Sequence, residues 1–133
     1  IGYYPRRTRI PEGKPMRDLA PDIVRQRLLI EGAYTVDVDR ASVEAYLTGV
    51  AAALGLRTYG EAIVHSPGGE GKAENAGYDA FLPLIDSGIS LYVWTERRFF
   101  AAVLFTCKRF DAGLAVDFTS RHFAASAIES TAF

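Results

Sequence analysis

The apolar residues of this chain change period several times, and the changes mark its elements. Arg25–Val36 (RQRLLIEGAYTV) reads as a first strand, rich in large apolar residues. In Asp39–Leu54, Val43, Tyr46, Leu47, Val50 and Leu54 recur every three or four residues, which predicts an amphipathic helix. Asp39 is suited to its N-cap, Glu44 adds negative charge to its early part, and Gly55 suits the C-terminal cap. Arg57–Ser66 reads as a second strand. Pro67–Gly77 (PGGEGKAENAG) has no large apolar residue and reads as a loop. Tyr78–Ile85, Ile89–Trp94 and Phe99–Phe105 follow as three consecutive strands, with Asp86-Ser87-Gly88 and Glu96-Arg97-Arg98 as the turns between them. Asp111–Ala125 closes the pattern with a second helix, along one side of which lie Leu114, Phe118, Arg121, His122 and Ala125. The order βαββββα predicts an α+β fold. It is a two-layer α/β sandwich, an antiparallel sheet with two helices on one face.

At 133 residues the chain fits one domain with its own core. Residues 1–24, with Arg6, Arg7, Arg9, Lys14 and Arg17 among prolines, form a basic N-terminal arm; residues 25–133 form the domain. A net charge of −1 gives no electrostatic reason to expect a nucleic-acid partner. A single cysteine, Cys107, cannot form an internal disulfide and fits a cytoplasmic location. No apolar run reaches membrane-spanning length, so no membrane association is expected. Lys72 is followed by Ala73, so the glycine-rich loop lacks the GxxxxGK[ST] phosphate cradle. His65 and His122 lack a paired carboxylate or thiol motif, and no metal site is expected. Ser87, His65 and Asp86 contain the residue types of a hydrolase triad, but no GxSxG elbow surrounds the serine.

Asp86–Cys107, DSGISLYVWTERRFFAAVLFTC, carries the most specific signal. It resembles the processing and active-site segment of the small bacterial S-adenosylmethionine decarboxylases. That segment typically reads ES-H, three further residues, HTWPE, an apolar strand and FTC. Ser87, Trp94, Glu96 and Cys107 match. Tyr92 stands where the family has a histidine two places before the tryptophan, Gly88 where it has the histidine after the serine, and Thr95 where it has a proline. The resemblance spans roughly Arg25–Ala125 and is strongest in Gly77–Cys107.

The resemblance implies the same sandwich, a homodimer, and S-adenosylmethionine or methylthioadenosine as ligand. In the family the chain cuts itself before the serine matching Ser87, which becomes a pyruvoyl group that acts as an electron sink for decarboxylation. The resemblance thus places Ser87, Tyr92, Cys107 and His65 in catalytic positions. It places Glu96, Trp94 and Asp86 at the substrate, with Glu96 on the ribose hydroxyls. Local alternatives stand beside these roles: a turn carboxylate paired with Arg97 or Arg98 for Glu96, a core aromatic for Trp94, a small buried hydrophobe for Cys107, and a strand-end histidine for His65. Tyr92 and Trp94, two residues apart, face one side of their strand.

A phenol with an ordinary pKa near 10 shuttles protons less well at neutral pH than imidazole. The absence of both family histidines therefore argues against self-cleavage, and no cofactor is expected; a pyruvoyl from Ser87 is the expectation only if the chain processes itself. Three functions follow from the resemblance. The first is a lyase or cyclase that acts at the sulfonium and releases methylthioadenosine. The second is a pyruvoyl-dependent decarboxylase of S-adenosylmethionine, or of ornithine or arginine, in polyamine biosynthesis. The third is a non-catalytic S-adenosylmethionine-binding relative.

Overall fold

The structure is a computed structural model that describes residues 16–133, the side chain of Glu70 excepted. The first fifteen residues, most of the basic arm, lie outside the described residues. Six strands and two α-helices follow in the order β1 (Gln26–Ala33), α1 (Arg40–Ala53), β2 (Ile63–His65), β3 (Gly77–Leu84), β4 (Ser87–Trp94), β5 (Phe99–Thr106), α2 (Ala112–Phe123) and β6 (Ala127–Ala132). One antiparallel sheet is formed, in the order β2-β3-β4-β5-β1-β6.

Alternation along the strands decides which face is covered. Leu28 and Ile30 of β1, Leu82 and Leu84 of β3, Ile89, Leu91 and Val93 of β4, and Phe100 and Leu104 of β5 are buried. They meet Val43, Tyr46, Leu47 and Val50 of α1 and Ala115 and Phe123 of α2 in one core. Both helices therefore cover the same face, as the pattern predicts, and among the described residues no helix covers the other face of the sheet.

The helix ends are fixed by the expected chemistry. Asp39 accepts from the Ser42 N–H at 2.8 Å, and Asp111 accepts from the Leu114 N–H at 3.1 Å. Gly55 takes φ +69 directly after α1 and donates to the Ala52 carbonyl, a left-handed cap that glycine adopts without strain. Where α1 meets α2, the Tyr46 and Thr119 hydroxyls lie 2.8 Å apart in the core, and Thr119 also donates to the Ala115 carbonyl.

Four expectations need correction. The second strand is only Ile63–His65, because the Thr58 hydroxyl binds both the N–H and the carbonyl of Gly60 and holds the chain in a turn there. The loop of residues 67–77 contains two short 3-10 turns, Gly69–Gly71 and Ala73–Asn75. The buried stripe of α2 is Ala115, Thr119 and Phe123, one position on from the expected side, and Leu114 is exposed. A sixth strand, Ala127–Ala132, adds to β1 at the sheet edge. Its sequence AIESTA has a single large apolar residue, so no alternation marks it.

Candidate active site

The β3–β4 hairpin sets the first part of the site. It turns on two residues, Ile85 and Asp86, with Leu84 and Ser87 paired across it. Asp86 takes φ 55, a left-handed conformation that aspartate tolerates better than most residues. Ser87 thereby becomes the first residue of β4 rather than part of the turn. On the neighbouring strand Phe105 sits opposite Gly88, so the chain leaving β5 runs past the serine. The Cys107 N–H donates to Ser87 Oγ at 3.0 Å. Two of the expected catalytic residues are thus brought together by strand register.

Ser87 and Cys107 open into a cleft of about 280 Å3, with Asp86, Arg57 and Lys108 among its polar lining. Lys108 reaches the Gly55 carbonyl at 3.1 Å. No imidazole lines this cleft. The contact to Ser87 has a definite chemical sense. A backbone N–H occupies a lone pair of the hydroxyl oxygen; it positions the oxygen but removes no proton.

Of the positions that carry histidine in the family, Gly88 lines a second groove together with Ser87, Asp86, Phe81 and Phe105, and Tyr92 lies further along β4. Ile89, Leu91 and Val93 point under the helices, so Gly88, Ser90, Tyr92 and Trp94 point to the open face. A Cβ at position 88 would lie 2.6 Å from two ring carbons of Phe81, so the Phe81 ring fills the space a side chain at 88 would take. Tyr92 is 39% exposed on the same face. Trp94 shares that face, as expected, and packs tilted against Phe99 with ring centres 5.3 Å apart.

Glu96 stands at the far end of β4. An eight-residue strand at about 3.3 Å per residue spans roughly 23 Å, so within one chain Glu96 and Ser87 cannot touch one ligand's reacting end together. Glu96 is exposed and, among the described residues, forms no ion pair. Arg98 turns instead to Asp37 at 2.8 Å and to the Val36 carbonyl at 2.9 Å. The simple pairing of Glu96 with its neighbour Arg98 is therefore absent.

His65 also faces the open side, on edge strand β2, directly opposite Asp79; Asp79 is in turn opposite Tyr92. The three side chains form one row across three strands, in a groove of about 350 Å3 shared with Ile63, Phe81 and Ser90. Asp79 was not singled out from the sequence. A three-residue turn at residues 86–88 pairs Tyr92 with position 82, whereas the actual two-residue turn pairs it with Asp79. The other histidine has a structural place. His122 Nε2 lies 3.0 Å from the Ser42 carbonyl between the helices, and burial pushes its pKa down against the opposing effect of that hydrogen bond. Among the described residues no group of three His, Cys, Asp or Glu side chains could hold a metal ion, and no helix is long and apolar enough to cross a membrane.

The comparisons agree with this architecture. The family model described as S-adenosylmethionine decarboxylase matches residues 31–133. No curated protein matches the chain. Among solved structures, the adenosylmethionine decarboxylase from Aquifex aeolicus VF5 superposes with a TM-score of 0.64 at 18% identity, over 84% of this chain and 89% of that one. At that identity the match speaks for the fold.

Proposed function

The chain belongs to the S-adenosylmethionine decarboxylase family, and from that premise we propose that it consumes S-adenosylmethionine by chemistry at the sulfonium, without a pyruvoyl group, releasing methylthioadenosine. The observation that carries the reading is the composition of the Ser87 cleft. Ser87 Oγ meets a backbone N–H, no imidazole lines the cleft or the neighbouring groove that Ser87 shares with Gly88, and the two family histidine positions hold glycine and tyrosine. These residues do not fit the making of a pyruvoyl group, which needs a proton taken from the serine and delivered to the leaving nitrogen.

A sulfonium needs no such group. It is already an activated leaving group, so positioning and exclusion of water supply the acceleration. In this reading Glu96 holds the ribose diol through charge-assisted hydrogen bonds, Trp94 and Tyr92 wall the sulfonium, Tyr92 and His65 orient or carry protons, and Ser87, Cys107 and Asp86 shape the cleft. The roughly 23 Å length of β4 favours a homodimer. Ile63, Phe81, Tyr92 and Phe105 leave an apolar open face, with exposures from 39% to 50%. Two such faces stacked about a two-fold axis across the strands would set the Ser87 end of one β4 over the Glu96 end of the other.

A second reading, pyruvoyl-dependent decarboxylation, is favoured by one specific observation, the adjacency of Ser87 and Cys107. When present, the pyruvoyl carbonyl supplies the electron sink for loss of carbon dioxide. Intact mass of the freshly purified chain separates the two. One uncut mass is expected; two fragments breaking between Asp86 and Ser87 would give the site to the decarboxylase.

A further inference from the structure

The open-face groove contains a carboxylate that the family resemblance does not assign. Asp79 projects between His65 and Tyr92, its direct cross-strand neighbours. Such neighbours hold their Cβ atoms about 4.5–5.5 Å apart, within reach of one small ligand. Ile63 and Phe81 supply apolar walls, and Ser90 a further hydroxyl. Among the described residues Asp79 makes no hydrogen bond or ion pair. The ion pairs there are Asp18 with Arg25 and Asp37 with Arg98. A negative charge beside two aromatic rings, with no ion-pair partner among the described residues, suits an organic cation. The carboxylate accepts its N–H donors while the ring faces take the adjoining positive charge.

We propose that Asp79 is the ammonium anchor of this site, binding the α-ammonium of the amino-acid arm of S-adenosylmethionine, a subsite assignment that rests on the function proposed above. The chemistry separates the two outcomes of the family. Forming an imine with a carbonyl requires a neutral amine nitrogen, and an ion pair with Asp79 keeps that nitrogen protonated. It leaves the substrate's own carboxylate free to attack the γ-carbon. The new O–Cγ bond then forms as the Cγ–S bond breaks, and the electron pair passes to sulfur. Neutral methylthioadenosine leaves, the amino-acid arm closes to a lactone, and no outside proton or electron is needed.

The test compares two ligands that differ in that arm. Calorimetric titration of the full chain with S-adenosylmethionine and with methylthioadenosine is repeated for Asp79→Asn and Asp79→Ser. Both variants are expected to lose about tenfold or more in affinity for S-adenosylmethionine, the effect of losing a charged hydrogen-bond partner, with methylthioadenosine binding nearly unchanged. An equal loss for both ligands, or no loss for either, overturns the assignment while the S-adenosylmethionine reading stands. Wild-type chain that binds neither ligand overturns that reading and the assignment with it.

Discussion

Gly88→Ala tests whether the missing histidine after Ser87 is built into the packing. A Cβ at this position lies 2.6 Å from the Cε1 and Cζ atoms of Phe81, against about 3.5–4.0 Å for ordinary carbon contact. The ring must withdraw by about 1 Å. Phe81 is 40% exposed, so about 120 Å2 of a side chain of about 200 Å2 is covered, and losing all of that contact would cost at most about 3 kcal/mol. Because the clashing atoms are the free end of a ring, partial withdrawal suffices, and the substitution is expected to cost about 1–2 kcal/mol, the lower part of the usual range for overpacking. In urea this lowers the unfolding midpoint by roughly 0.5–1 M at ordinary slopes. Phe81→Ala removes the obstacle, so Gly88→Ala in that background is expected to cost almost nothing. The resulting coupling of about 1–2 kcal/mol exceeds the 0.3–0.5 kcal/mol scatter of independent sites. Additive single and double variants would refute the packing argument, and with it the claim that a side chain at position 88 is excluded.

Glu96→Gln is expected to weaken S-adenosylmethionine and methylthioadenosine binding alike, by roughly ten- to hundredfold, because both carry the ribose diol; unchanged affinity in calorimetry would reject the ribose role. Burial lowers the pKa of His122 from its ordinary 6.5, so the folded chain resists a proton that the unfolded chain accepts. Stability is therefore fully present above about pH 6.5 and falls as pH drops below it. Urea midpoints at neutral and mildly acidic pH are expected to differ less in His122→Gln than in the wild type, and an equal difference would remove His122 as the cause. Tyr92→Phe is expected to slow release of methylthioadenosine in a chromatographic assay if the phenol orients the arm or carries a proton, whereas Ser87→Ala is expected to matter less than it would in a decarboxylase; a Ser87→Ala chain without activity would return the serine to the chemistry.

Much of the fold was legible because alternation and helical spacing report burial directly. The α1 stripe of Val43, Tyr46, Leu47 and Val50 is buried as its spacing requires. Strand β6 was not legible. It is an edge strand with one half-buried apolar residue, Ile128, held by backbone pairing to β1 rather than by a packed face. At the site, the resemblance implied active-site places for both Ser87 and Cys107, and the structure brings them into contact. The row of His65, Asp79 and Tyr92 was not legible, since it depends on hairpin register. Moving the β3–β4 turn from residues 86–88 to residues 85–86 shifts the register by three and changes the partner of Tyr92 from a buried leucine to an exposed carboxylate. The separation of Glu96 from Ser87 was implicit in the expected strand Ile89–Trp94, which stretches a motif compact in sequence along β4.

The central claim is that this member of the family acts at the sulfonium and not at the carboxylate. Incubating the purified chain with carboxyl-labelled S-adenosylmethionine, and following labelled carbon dioxide and methylthioadenosine in the same reaction, tests it most directly. Methylthioadenosine appearing while the label stays in solution is the expected result. Labelled carbon dioxide released in step with substrate loss would contradict the account and assign the chain to decarboxylation.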